Sequence, residues 1–581
     1  MRTRSRTLAL LSTAVLAAAA VVPTAAPVAA QGEFPRDETL YTSGTQYGAP
    51  SSWNPIWDGQ YAMGTLGLLY EPLFTYDPLT ADQANAYTPW LAESGAWTSD
   101  TEYTLKLRDG LTWQDGEPLT SADVVFTLEL GKLPNVPYSS LWSFLSSVEA
   151  VDDLTVKFEF SEANYQQWSN FLYNRAILPE HIWKGTLDTE ETVTGANGPD
   201  PAPIGSGPYK FNSVAQDRMV WERNPDWWGT KALGLDPKPK YIVDIVNGGN
   251  NVMLGLVLQG QIDLSNNFLP GTANILAGGY GLQAYYADKP YHMSANTAWL
   301  VPNTTKAPLD DAAFRRALAE SINTDEIQNV VYGGIVQKAN PTGLLPTWDS
   351  FVDQDLVSQY GFSYDPEKAK ADLAAAGYVD TDGDGLVENK DGSAIELSLI
   401  VPTGWSDWEE SIRSIANSAQ AAGINVVADT TNDYGARTDK IQRGDFDLAI
   451  MNDQQMSNTP WTYYNWIFRE PIADVQNTSV GNLQRFDSPE AYALVQDLDH
   501  VKSDDIDGMK AIISQLQEIQ LKELPIIPLW YNGLWAQASN AVWTGWPSAD
   551  GLQVPPSTWR GYWQMGGIRM LDALTHPEAG G

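Results

Sequence analysis

Apolar and polar residues alternate at Tyr103, Leu105 and Leu107, a period of two that predicts a strand ending at the Arg108-Asp109-Gly110 turn. The same alternation recurs at Leu154, Val156, Phe158 and Phe160, and again at Tyr241, Val243 and Ile245. Elsewhere the period lengthens to that of a helix. Phe314, Ala317, Leu318 and Ile322 share one face behind Pro308-Leu309-Asp310-Asp311, where an aspartate can cap and an acidic first turn suits the helix dipole. Ser406-Asp407-Trp408-Glu409 has the form of a capping box, and Trp408, Ile412, Ile415, Ala419 and Gly423 continue one stripe behind it. Ile424 to Val427 then reads as a strand. The mixture predicts an α/β or α+β fold without internal repeats. The Thr-, Gly- and Pro-rich stretch from Asp188 to Pro203 is the best local candidate for a boundary.

Length and composition narrow the class. The 581 residues suffice for several domains, and 43% hydrophobic content rules against disorder. Lysine and arginine number 35 against 72 acids, and this net charge of −37 disfavours nucleic acid as a partner. With no cysteine, disulfides, thiolate metal sites, thiol nucleophiles and a lipid-bearing cysteine are all excluded. His181, His292, His500 and His576 stand too far apart to give metal-ligand spacing. Residues 1–30 read as a secretory signal: Arg2, Arg4 and Arg6, an apolar run from Leu8 to Val22, and the small residues Val28-Ala29-Ala30. Its removal takes away three positive charges and no acid, so the net charge becomes −40. The mature chain is expected outside the cytoplasmic membrane, as a monomer, either periplasmic or associated with the cell surface.

No Walker loop, G-x-S-x-G elbow or H-E-x-x-H is present. A triad or a carboxylate pair remains open on sequence grounds, since the acids are many. One motif has metal-binding spacing. In the loop from Asp380 to Asp391, acids at Asp380, Asp382, Asp384, Glu388 and Asp391, with Gly385 at the sixth position and Leu386 at the seventh, follow an EF-hand calcium loop. Asp391 replaces the longer glutamate usual at the last position. An ion there is expected to be structural; the other reading is a solvated acidic turn.

Several stretches together resemble the periplasmic solute-binding proteins of ABC importers, in the oligopeptide/dipeptide-binding family 5. They are Tyr70-Glu71-Pro72-Leu73-Phe74, the long run from Leu107 to Val124, Ile177-Leu178-Pro179-Glu180-His181, Ile204-Gly205-Ser206-Gly207-Pro208-Tyr209, Glu222-Arg223-Asn224-Pro225-Asp226-Trp227-Trp228, Phe314-Arg315-Arg316-Ala317 and Leu524-Pro525-Ile526-Ile527-Pro528-Leu529. The resemblance implies a two-lobed, hinged receptor that closes over its ligand, delivers it to a permease and catalyses nothing. It also implies an arrangement: lobe 1 at 31–72, an extra domain at 73–203, lobe 1 again at 204–299, lobe 2 at 300–525 and a return to lobe 1 at 526–581.

Within that family, peptide binders hold the ligand's amino group with an aspartate in a D-x-x-x-P context. Here Met456 stands four residues before Pro460, although Asp453 is nearby. The chain is more similar to members that bind β-linked cello- and manno-oligosaccharides, on Ser51-Ser52-Trp53-Asn54-Pro55 and Pro402-Thr403-Gly404-Trp405-Ser406-Asp407-Trp408. Twenty-three tryptophans, about three times the usual share, suit a ligand whose C–H faces stack on rings. Candidate ligand residues are Trp53, Asn54, Trp405, Trp408, Trp461, Tyr463, Tyr464, Trp466, Trp530 and Asn532. Against these stand structural readings: Trp408 shares the stripe of Ile412, and Trp227 and Trp228 belong to the shared motif. A peptide receptor and, less favoured, a secreted glycoside hydrolase are the alternatives.

Overall fold

In the computed structural model, residues 34–50, 52–56, 62–80, 86–133, 136–186, 203–452, 456–469, 481–559 and 561–577 are described. The expected signal segment, most of the 188–203 boundary and Asp453 lie outside them.

Strand β1 (Thr39–Ser43) opens a first lobe, and an inserted module follows. The module has a hairpin of β2 (Phe74–Tyr76) and β3 (Tyr87–Pro89), and an antiparallel sheet of β4 (Ala92–Ser99), β5 (Glu102–Leu107), β6 (Leu145–Ala150) and β7 (Thr155–Phe160) in the order β4-β5-β7-β6. Helices α1 (Ser121–Leu130) and α2 (Tyr165–Asn174) complete it. The alternating residues of β5 and β7 point inward as their period requires: Tyr103, Leu105, Leu107, Val156, Phe158 and Phe160 are all buried.

The chain then returns to the first lobe through β8 (Tyr209–Val214), β9 (Arg218–Arg223), β10 (Tyr241–Ile245), α3 (Asn250–Leu258), β11 (Leu264–Ser265) and β12 (Leu282–Gln283). The second lobe runs through β13 (Ser294–Pro302), α4 (Ala312–Ser321), β14 (Gln337–Lys338), α5 (Pro366–Ala376), β15 (Leu397–Pro402), α6 (Ser406–Ala421), β16 (Val426–Asn432) and α7 (Tyr434–Arg443). It continues with β17 (Leu448–Met451), α8 (Trp461–Phe468), α9 (Pro489–Asp499), α10 (Ile506–Glu523) and β18 (Ile527–Gly533), before β19 (Gln537–Ser539) rejoins the first sheet. Sheet orders are β12-β19-β11-β1-β10-β9-β8 and β14-β18-β13-β17-β15-β16. This is the two-lobed α/β architecture.

Two expected boundaries shift. Position 300 falls inside β13, and β18 pairs with β13 rather than with the first sheet, so the chain leaves the second lobe only after Gly533. The Leu524–Leu529 motif lent itself to either lobe because a buried strand reads the same in both. The two crossings, between β12 and β13 and between β18 and β19, are tied together: Leu534 N–H donates to Met293 O at 2.7 Å, and Ala536 N–H to His292 Nδ1 at 3.4 Å. With its amide oxygen turned to the ring, Gln537 accepts from His292 Nε2 at 3.2 Å. Burial pushes the His292 pKa down to about 3, so the hinge imidazole is neutral.

One continuous core joins the inserted module to the first lobe, from Trp113 and Trp168 through Leu73 and Trp90 to Trp221 and Leu264. At its centre Glu71 is buried and accepts from Trp90 Nε1 (2.8 Å), Trp227 Nε1 (3.1 Å) and Trp228 Nε1 (2.8 Å). The first lobe and the module are therefore one packed body; the second lobe is the other, and its apolar clusters also take in Tyr76, Ala86 and Tyr173 of the module and Phe268 of the first lobe.

Candidate functional cleft

Strand β1 runs parallel to β10 and β11, and β15 runs parallel to β16 and β17. The carboxyl ends of such strands leave crevices where α/β proteins take ligands. In the first lobe these ends lead to Tyr47, to Asn250 and to Asn266–Phe268. In the second they lead to Trp405, to Tyr434 and to Met456–Trp461.

The two sets meet. The Tyr47 ring lies parallel to Tyr434 (centroids 5.3 Å apart, 7° between planes) and 5.1 Å from Trp405. Asn250 N–H donates to Gly404 O at 3.0 Å, and its Nδ2 to Ser406 Oγ (3.2 Å) and Asp407 Oδ1 (2.9 Å). Ser406 is thus not the expected cap. Trp405 occupies the N-cap position and Ser406 is the first helical residue of α6, its hydroxyl used by the opposite lobe. Glu409 instead accepts from Gly404 N–H at 2.7 Å. By contrast Asp311 caps α4 as expected, accepting from Ala313 N–H.

Asp407 is buried, also accepts from the Tyr332 hydroxyl at 3.1 Å, and is pushed up to about 6 by desolvation. Asp244, buried on β10 beside Thr42, is pushed up to about 7 for the same reason. Desolvation raises the Tyr47 phenol, and the fields of Tyr434, Asp407 and Asp244 add to it. Rings and buried acids of raised pKa thus line the contact between the lobes.

Of the residues expected from sequence, Trp405 alone is placed at this lobe-to-lobe contact. Trp53 is half-buried against Phe211 (4.9 Å) with the first-lobe core, and Asn54 Oδ1 is taken by Ile56 N–H. Trp408 lies in the core with Ile412, Ile415 and Ala419, as the helical stripe requires. Trp461 is buried and its Nε1 donates to Asp499 at 2.7 Å; Tyr463 is buried, accepting from Gln520. Tyr464 is buried and stacks on Phe468, while Trp466 is half-buried. Trp530 is buried beside Tyr332, with Nε1 3.4 Å from Asn532 Oδ1, and Asn532 lies opposite Asn296 between β18 and β13. Most of the selected rings thus fill cores. A core indole and a cleft indole carry the same sequence signal.

Tyr47, Asn250 and Tyr434 were missed, since single residues after strands carry no motif. Other polar groups are orphaned. Trp53 Nε1, among the residues expected from sequence, and Asn458 Nδ2, Trp559 Nε1 and both side-chain atoms of Gln564 are buried without a partner among the described residues. Each such group costs about 1–3 kcal/mol unless water or a ligand takes it up.

Oxygens of Asp380, Asp382, Asp384 and Glu388 come within 4.8 Å of one another. Asp380 accepts from Gly383 and Gly385 N–H, Asp384 from Leu386 N–H, and Glu388 from Thr381. Asp391 stands apart from this group, its Oδ1 held by Ser393. The shorter side chain satisfies its own turn instead of reaching back.

Among the described residues no helix is long and apolar enough to cross a membrane. Residues 86–473 match the family model for bacterial extracellular solute-binding proteins, family 5. The mannohexaose-bound periplasmic oligopeptide-binding protein of an oligopeptide ABC transporter from Thermotoga maritima is 42% identical, covering 94% of this chain and 100% of its own, with a TM-score of 0.89. The probable peptide-binding protein YejA of Agrobacterium fabrum is 24% identical over 85% of this chain and 84% of its own. The oligopeptide-binding protein AppA of Bacillus subtilis is 25% identical over 69% of this chain and 74% of its own. The chain belongs to the bacterial extracellular solute-binding proteins, family 5, and is a substrate-binding receptor of an ABC importer, not an enzyme.

Proposed function

We propose that this receptor captures β-linked oligosaccharides of the cello- or manno- type and delivers them to its permease. The observation that carries the reading is the 42% identity, over nearly the whole chain, to a protein classed as oligopeptide-binding yet solved with mannohexaose. The relatives named as peptide-binding share 24–27%. Chemistry on this chain supports it. Met456 supplies no carboxylate for a peptide's ammonium group, and burying that charge unpaired would be costly. The orphaned donors of Asn458 and Trp559 and the Gln564 amide suit a ligand dense in hydroxyls. A neutral sugar also escapes the repulsion that a net charge of −37 imposes on anions.

The same reading has the signal at 1–30 removed, the receptor acting as a monomer outside the cytoplasmic membrane, and calcium held structurally by the 380–388 loop. Calorimetric titration with cello-, manno- and xylo-oligomers and a peptide mixture tests it. Saturable binding of a β-oligomer is the expected result. Binding of peptides alone would return the assignment to the Asp453 alternative. Chromatography of the incubated sugars is expected to show no hydrolysis.

A further inference from the structure

The inserted module reaches across to the second lobe, with Tyr76, Ala86 and Tyr173 in a shared apolar cluster and with buried polar side chains on α2. Helix α2 starts at Tyr165 behind its cap Asn164, which accepts from Gln167 N–H. Its first turn meets the segment that follows α9. Gln166 is buried there with both ends of its amide engaged: Nε2 donates to Val501 O at 2.7 Å, and Oε1 accepts from Thr459 Oγ1 at 3.0 Å. Gln167 Nε2 donates to Asp499 Oδ2 at 3.0 Å. His500 Nδ1 meets Ala163 O, and Lys502 lies over the Tyr165 ring (5.3 Å) with Asp100 3.7 Å away.

Asp499 is itself fixed from inside the second lobe. Its Oδ1 accepts from Trp461 Nε1 and Arg469 Nη2, each at 2.7 Å, which leaves Oδ2 facing the module. Thr459 belongs to the segment after β17, at the mouth of the cleft. The Gln166, Gln167 and His500 bonds all cross between the module and the second lobe.

Because the module and the first lobe share one core, any opening of the second lobe away from the first also pulls it off α2. Breaking the contact leaves the Gln166 amide and Asp499 Oδ2 to be resolvated. It is a second closure contact, separate from the Tyr47–Asn250 contact near α6.

We propose that the inserted module is a clasp: Gln166 and Gln167 are affinity-determining residues that hold the second lobe shut from outside the ligand site, and they retain a closed population even without ligand. This rests on the receptor reading and not on which ligand is carried. The clasp acts on opening, so it sets the rate of ligand release more than the rate of capture.

The test pairs Gln166→Ala/Gln167→Ala with wild type. The chain has no cysteine, so Glu149→Cys in β6 and Glu367→Cys in α5 give two unique spin-label sites, one on each body. Without ligand, the wild-type distance distribution is expected to hold a short, closed component that shrinks in the double variant. With mannohexaose as probe, stopped-flow tryptophan fluorescence is expected to show dissociation at least tenfold faster and association within twofold. Lys502→Ala removes only the exposed charge and is expected to change release by about twofold. The melting temperature separates this effect from a damaged fold, since the Gln166 and Gln167 amides point away from the module's own core.

Identical distance distributions in wild type and double variant would overturn the proposal, as would a wild type wholly open without ligand or an unchanged release rate. Failure of mannohexaose to bind would count against the sugar reading alone, because the ligand-free distances still decide the clasp.

Discussion

Replacing Tyr47 by alanine removes one ring from a contact that exists only when the lobes are closed. The ring faces Tyr434 at 5.3 Å and Trp405 at 5.1 Å, both on the second lobe. Each aromatic pair contributes about 0.5–1.5 kcal/mol beyond area burial, so losing two costs closure about 2 kcal/mol. At 1.4 kcal/mol per tenfold, Kd is expected to rise about thirtyfold. Isothermal titration with the best oligosaccharide measures it. The full effect appears only where the ligand-free receptor is mostly open; a closed ligand-free population already makes the contact and reduces the change. Small-angle scattering of the ligand-free protein supplies that fraction. Tyr47→Phe keeps both ring contacts and is expected to stay within about twofold of wild type. A Tyr47→Ala variant that binds with wild-type affinity while scattering shows an open ligand-free form would refute the closure argument.

Four further outcomes are expected. Asp407 has a closed-state pKa of about 6, raised by burial, whereas an opened, hydrated seam lets it fall toward its ordinary 3.8. The closed form then binds the proton more strongly, so affinity should tighten about tenfold from pH 7 to pH 5, and Asp407→Asn should flatten the profile. Glu71 is pushed up to about 7 from 4.5 by burial, so its contribution to stability is full below pH 4.5 and lost as pH rises through 7; the difference is on the order of 3 kcal/mol. Melting curves of Glu71→Gln should show a weaker pH dependence than wild type between pH 4.5 and 7.5. Millimolar calcium should raise the wild-type melting temperature but not that of Asp380→Asn/Asp384→Asn, and equal shifts in both would remove the ion from the loop. Trp461→Ala should destabilise the fold by about 3–5 kcal/mol in urea unfolding, whereas Trp405→Ala should weaken ligand binding with little change in stability.

Periodicity located the elements well because burial on one face is what periodicity records. The inward residues of β5 and β7, the stripe of α6 and the Asp311 cap are local facts, settled within a few residues of chain. The lobe boundary at β18 was not local, since strand membership depends on which partner, hundreds of residues away, supplies the hydrogen bonds. Ser406 shows the same limit from the other side. Its capping-box spacing is correct, yet Asn250 of the opposite lobe takes the hydroxyl and the helix begins one residue early.

The tryptophans make the point about the site. Trp113, Trp168, Trp183, Trp221, Trp299, Trp530, Trp543 and Trp563 are fully buried, so much of the excess builds interiors and not a ligand surface. Composition could not separate the two, because an indole in a core and an indole on a sugar are recruited by the same apolar area. What separates them is a polar end with work to do elsewhere. Trp461 shows this: a ring chosen for stacking spends its N–H on Asp499, whose other oxygen meets Gln167 of the module. If the module is a clasp, Trp461 bears on binding by holding the carboxylate that meets Gln167. In a hinged receptor affinity is a difference between two conformations. Residues such as Gln166, Tyr47 and Asn250, which touch the opposite body, bear on that difference as directly as any ring in the cleft.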